Sequence, residues 1–219
     1  MPWHDCLMPV GEELLAVEKA VFDCAMAGCN TIWVVCHMSM QPLLRKRVGD
    51  SISVNPLPDF IMKQNMPKLA NIFYVPIHPS SMEKIDSLSW SVLYGAQSAY
   101  KVCKFISKWV IPGKFFCSFP YGIVDSQIVR ENREAIRSFQ QVYFSHDGKT
   151  VKDGLYLPFT FDEKDFKACR GTVKHFISDN WQLERRIHPR DYEKARFITP
   201  EQAFTKLNFE SALEIQTPW

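Results

Sequence analysis

Arg45-Lys46-Arg47 places three cations in a row, a short distance after the apolar run Thr31–Cys36. Guanidinium and ammonium groups there suit phosphate oxygens, although three basic residues on a helix also make an ordinary solvated face. Ser87, Ser89 and Ser91 open a long amphipathic segment. Hydroxyls and backbone N–H groups at a helix start can hold an anion or simply cap the helix. His37 directly follows Thr31–Cys36, where a side chain can face a ligand beyond a strand end; a lone histidine is as readily structural. Asp125 precedes "SQIVRENREAIRSF" and, taken alone, reads as a helix cap. His4 and Cys6 have no second ligand pair at a zinc-like spacing, so zinc is not expected.

These residues need elements to position them. Glu12 to Ala27 carries Leu14, Leu15, Val17, Val21, Phe22 and Ala25 mainly on one face, with Gly28 as its stop, which predicts a helix. Thr31–Cys36 is short, apolar and rich in β-branched residues, as a strand buried on both faces should be. Gln41–Val48 reads as a second helix and Asn55-Pro56-Leu57-Pro58 as a loop. Asn71–Ile77 and Phe115–Phe119 are two further strands, separated by a helix from Asp86-Ser87 to about Trp109. Gln141–Ser145 and Gly154–Phe161 read as strands joined across His146-Asp147-Gly148-Lys149, with Asp-Gly as the hairpin signal. Asp162–Ser178 is helical in pattern, Glu184 to Lys194 is a charged segment, and Thr199-Pro200-Glu201 starts a helix with Pro at its first position. The alternation predicts an α/β layer fold with a mainly parallel sheet, whose site lies at the strand ends after Cys36, Ile77 and Phe119.

The bulk numbers bound the function. The 219 residues, 46% of them hydrophobic, suffice for a single domain over 1–219. Charges nearly cancel, 26 Lys+Arg against 24 Asp+Glu, so nucleic-acid binding is not indicated. Seven cysteines without a CxxC pair fit free thiols in a reducing cytoplasm better than a disulfide framework. No stretch approaches the roughly 20 apolar residues of a membrane span, and Met1–Asp5 is not a signal-peptide start. A cytoplasmic protein with no membrane partner is expected.

Met8-Pro9-Val10-Gly11, the helix after it and Asn30–Val35 resemble the "LPVGGKPLIEHVLERLKAAGIDEIVVVV" stretch of the sugar-1-phosphate nucleotidyltransferases. Ser87–Val92 sits where that family has a "GTAGAL"-like nucleotide-contacting segment. "FFCSFPYGIVD", Phe115 to Asp125, is similar to the strand and turn of its "VLNGDNLFD" metal motif; "GLYLPFTF", Gly154 to Phe161, is similar to its "AGIYVF" strand, and Leu213–Thr217 to its "WYDIDT" segment. The matches cover most of the chain in the family's order. The resemblance implies a Rossmann-like, nucleotide-diphospho-sugar transferase (GT-A-like) architecture that joins a sugar 1-phosphate to a nucleoside triphosphate with Mg²⁺. Compact relatives occur in bacteriophage genomes, so a phage source is one the resemblance allows.

Carried over residue by residue, Gly11, Ser87, Ser89 and Ser91 would contact the nucleotide, and His37 would face it from the end of its strand. Arg45 and Lys46 would neutralise phosphate charge, and Asp125 with Glu214 would hold Mg²⁺, which takes one or two carboxylates plus phosphates and water. The family's glycine-rich "GGxGTRL" loop has no counterpart before Leu7, and Tyr121 falls where its metal-binding aspartate belongs. A phenol that titrates near 10 cannot supply that charge. Three functions fit: a nucleotidyltransferase making a nucleotide sugar; a glycosyltransferase consuming one, which a DxD motif would favour and none is present; and a catalytically reduced regulatory or interaction subunit, as a homo-oligomer or with a partner chain.

Overall fold

The computed structural model describes residues 5–11, 14–53, 69–77, 88–106, 112–122, 124–184 and 198–218, with only the backbone of 177–184. After a 3₁₀ turn at Asp5–Leu7, Pro9 forms an antiparallel bridge with Leu15. That bridge delays α1 to Ala16–Met26, later than its apolar pattern suggests. Glu18 Oε2 accepts the Leu15 N–H at 2.9 Å and so satisfies a donor at the helix entry. At its other end Gly28 takes φ +84°, its N–H bonds the Ala25 carbonyl at 2.9 Å, and the Cys29 N–H reaches back to Cys24 O at 3.1 Å. This pair of reverse bonds around a left-handed glycine is a Schellman C-cap.

β1, Thr31–His37, runs parallel to β3, Leu69–Ile77, over its whole length, from Thr31↔Asn71 to His37↔Ile77. α2, Gln41–Val48, lies between them in sequence, and β2, Ser51–Ser53, pairs antiparallel with the start of β3. α3 is Leu88–Ile106; Ser87 lies outside the described residues, as do Asn55–Pro58, the end of the expected helix at Trp109, and 185–197. β4, Lys114–Cys117, pairs antiparallel with β6, Phe159–Asp162. The short helices α4, Ser126–Glu131, and α5, Arg133–Arg137, lead to β5, Val142–Ser145. α6, Glu163–Glu184, and α7, Pro200–Phe204, precede β7, Leu213–Gln216, which pairs parallel with β5.

The described strands therefore form two small mixed sheets flanked by helices, in the orders β1-β3-β2 and β4-β6-β5-β7, where one mainly parallel sheet is expected from the sequence. The strand ends at His37 and Ile77 come together as expected; the strand before Phe119 belongs to the other sheet. Gly154–Leu157 is not strand. A 3₁₀ turn at Val151–Asp153, capped by Thr150, is followed by Gly154 at φ +89°, and the Leu155 and Leu157 N–H groups bond locally to Thr150 O and Leu155 O. The Asp-Gly turn forms as its residues demand: Asp147 and Gly148 take φ +48° and +72°, and His146 and Lys149 exchange two backbone bonds at 2.9 Å.

Both sheets share the same two helices. Ile32 and Val34 of β1 pack with Val21 of α1, whereas Val35, on the opposite face, lies against Gly95 of α3. Phe116 of β4 packs with Ala25 and Met26 of α1, whereas the adjacent Phe115 meets Tyr100 of α3 edge-on at 5.0 Å. α1 thus covers one face of each sheet and α3 the other. Among the described residues no helix is long and apolar enough to cross a membrane.

Candidate functional site

The parallel β1–β3 pair ends at His37 and Ile77, and α2 follows at once. His37 is half-buried; its Nδ1 pairs with Ser39 Oγ at 2.6 Å and accepts the Ser39 N–H at 3.2 Å, a local turn that fixes the ring. On α2, Arg45 forks onto Asp50, Nε to Oδ1 at 2.8 Å and an Nη to Oδ2 at 3.1 Å. The pair holds the Asp50 carboxyl below its usual range. Arg47 binds Glu18 at 2.8 Å and so ties α2 to α1. Lys46 is exposed and has no carboxylate within ion-pair reach among the described residues. Of the three cations, only Lys46 is left uncommitted by this geometry. Gly11 is exposed, and a side chain there would meet nothing.

Ser89 and Ser91 occupy the first described turn of α3. Ser89 is fully buried and its hydroxyl has no hydrogen-bond partner among the described residues, so it faces the interior and not an anion at a helix end. Ser91 is half-buried.

Asp125 caps α4: its Oδ1 accepts the Gln127 N–H at 2.9 Å. Glu214 faces Tyr143 across the β5–β7 ladder and accepts the Ser145 hydroxyl at 2.5 Å and the Tyr143 hydroxyl at 3.5 Å. Each carboxylate is thus held by protein donors, and among the described residues no group of three or more His, Cys, Asp or Glu side chains gathers. Asp125 and Glu214 stand on different elements, at the start of α4 and on β7, and each is engaged by its own donors. Burial pushes the Tyr121 phenol up from its ordinary value, so it stays neutral beside Tyr156, 5.7 Å away.

The most polar buried cluster escapes the motifs. Asp23 of α1 is 1% exposed; Lys19 Nζ meets its Oδ1 and Oδ2 at 2.6 and 2.7 Å and also the Val124 carbonyl at 2.6 Å. Ser126 Oγ donates to Asp23 Oδ1 at 2.7 Å. The Lys19 ammonium thus gathers three oxygens and clamps α1 to the entry of α4. Burial raises the Asp23 carboxyl above its ordinary value against the opposing pull of Lys19 and Ser126. The signal in the sequence is the i,i+4 spacing of Lys19 and Asp23 on α1.

A cleft of about 310 Å³ lies beside the second sheet, lined by Gln140, Gln141, Asp162, Asp165, Asn208 and Ser211 among others. Asp165, 5% exposed, accepts Gln141 Nε2 at 2.6 Å and the Asn208 N–H at 3.2 Å, and so ties β7's approach to the start of α6. None of the residues expected to contact nucleotide or metal lines it. Compared with protein-family models and with curated proteins, the chain matches none.

Proposed function

We propose that the chain is a nucleotidyltransferase-like domain that binds a nucleoside triphosphate and joins it to a sugar 1-phosphate, forming a nucleotide sugar with release of pyrophosphate. One observation supports it above the others. α1 and α3 cover opposite faces of both sheets, and β1 and β4 are the end strands of their respective orders. One further strand between β1 and β4 would join them into a single sheet of the order β2-β3-β1-x-β4-β6-β5-β7. Two mixed sheets that share the same pair of covering helices are what a Rossmann-like sheet interrupted at one central position would look like, and this supports the reading. Ligands of such sheets lie beyond the carboxyl ends of the parallel strands, where His37 and α2 with Lys46 stand.

A second reading, a catalytically reduced member of the same architecture, is favoured by the commitments of the charged residues: Arg45 to Asp50, Asp125 to the Gln127 amide, Glu214 to Ser145 and Tyr143. Thermal unfolding with a panel of nucleoside triphosphates and nucleotide sugars, with and without Mg²⁺, separates the two. A ligand at a hundred times its Kd stabilises by about 2.7 kcal/mol, several degrees in a chain of this size. Stabilisation by a triphosphate or nucleotide sugar supports the enzyme reading; no shift with any of them overturns it and leaves the reduced member.

A further inference from the structure

We infer that Cys24 and Cys29 are a reactive thiol pair, a modification site at which hydrogen peroxide oxidises Cys29 and Cys24 closes the disulfide. The C-cap of α1 brings them together. In a Schellman cap the side chains three residues before and two after the cap residue meet, normally as an apolar contact. Here the cap is Ala27, the two positions are Cys24 and Cys29, and the Cys29 N–H to Cys24 O bond at 3.1 Å holds their backbones in register. Both side chains pack against the same apolar cluster, and both are half-buried.

A second element activates one of them. Arg133 and Arg137 of α5 lie directly over Gly28: a Cβ there would come within 2.6 Å of Arg133 Nε and 2.8 Å of Arg137 Cδ. The glycine is therefore needed for the close approach as well as for its φ of +84°. The neighbouring Cys24 thiol, with the two guanidinium charges, draws the Cys29 thiol down from its ordinary value against burial, while Cys24 is pushed up by Cys29 beside it, by burial and by Asp23 and Cys117 nearby. The thiolate is the nucleophile of such pairs, and cationic neighbours favour it. Cys117 and Cys36 are instead pushed up, mainly by burial, Cys36 to about 11.

The chemistry balances. Cys29 thiolate attacks one peroxide oxygen, the O–O bond breaks, and hydroxide leaves to become water, giving a sulfenic acid. Cys24 sulfur then attacks Cys29 sulfur, the S–O bond breaks, and the departing hydroxide takes the Cys24 proton as a second water. Two thiols and one peroxide give one disulfide and two waters.

The test is to treat the folded protein with hydrogen peroxide, block remaining thiols with iodoacetamide, and map the tryptic peptide 20–45 by mass spectrometry. The expected peptide has lost two hydrogens, is alkylated only at Cys36, and regains both sites after dithiothreitol. Cys24→Ser should stop the reaction at a sulfenic acid on Cys29 that dimedone traps. Arg133→Gln with Arg137→Gln should slow alkylation of Cys29 several-fold at neutral pH and move its pH profile upward. Alkylation of both Cys24 and Cys29 after peroxide, dimedone on Cys24 in place of Cys29, or a disulfide to Cys36 or Cys117 would overturn the inference. The wild-type mapping decides it even if a variant does not fold.

Discussion

Lys19 and Asp23, one turn apart on α1, form an ion pair at 2.6 Å in which the carboxylate is sealed from solvent, and the same ammonium holds the Val124 carbonyl on a distant segment. Breaking such a pair from one side leaves an uncompensated charge. Asp23→Ala should therefore cost about 3–5 kcal/mol in urea unfolding, while a joint Lys19→Met, Asp23→Leu exchange should cost clearly less. Equal losses from the two would mean that packing volume, and not the charge pair, holds the α1–α4 junction.

The same carboxyl links stability to pH. Burial, with Asp125 adding to it, raises the folded value above the ordinary carboxyl value, and Lys19 and Ser126 only partly oppose this. A raised folded value means that the folded chain keeps a proton the unfolded chain gives up. The contribution is full below the unfolded value and lost as pH rises through the folded one. The stability difference between wild type and Asp23→Asn should fall across that window as pH is raised; a flat difference would show that Lys19 and Ser126 cancel the burial.

Asp125 separates capping from metal binding. Asn caps a helix as well as Asp, so Asp125→Asn should leave stability unchanged, whereas Asp125→Ala should lose about 1 kcal/mol. If a triphosphate stabilises the protein only with Mg²⁺, the Asn variant should abolish that response; an unchanged shift removes Asp125 from any metal role.

Among the basic residues of α2 the geometry singles out Lys46. Lys46→Ala should weaken stabilisation by triphosphates and leave the melting temperature of the free protein unchanged. Arg45→Ala, which frees Asp50 from an exposed pair, should alter the ligand response less. The reverse order would mean that Arg45 exchanges Asp50 for a phosphate.

Gly122 approaches the chain segment after Gly154 so closely that a Cβ would lie 1.6 Å from the Tyr156 carbonyl oxygen, a backbone atom that cannot swing away. Gly122→Ala should destabilise by about 3 kcal/mol or more. Gly113→Ala, where a methyl group meets nothing, should stay within about 0.5 kcal/mol.

Local order is legible in this sequence and pairing is not. α2 falls at its expected bounds, the Thr199-Pro200 start forms with Thr199 as cap, and the Asp147-Gly148 turn adopts the conformation its residues favour, because each depends on a few neighbours. Which strand lies beside which depends on contacts far apart in sequence: the apolar run Phe115–Cys117 fits a parallel neighbour of β1 as well as the antiparallel neighbour of β6 that it is. The candidate cations and carboxylates were visible by type, but their partners, Asp50, Gln127 and Ser145, are set by the fold. Lys19 and Asp23 lay hidden because an i,i+4 pair on a helix ordinarily faces water.

The two sheet ends also divide the hydrogen-bonding groups of β1. In a parallel ladder alternate residues turn both their N–H and C=O to one neighbour, here β3, and the residues between turn them the other way, where no described strand receives them. Hydrogen exchange should therefore alternate along Thr31–His37, slow at one amide and fast at the next. Any polypeptide that entered beside β1 would erase that alternation, so the amides of a single strand would record the joining of two sheets into one.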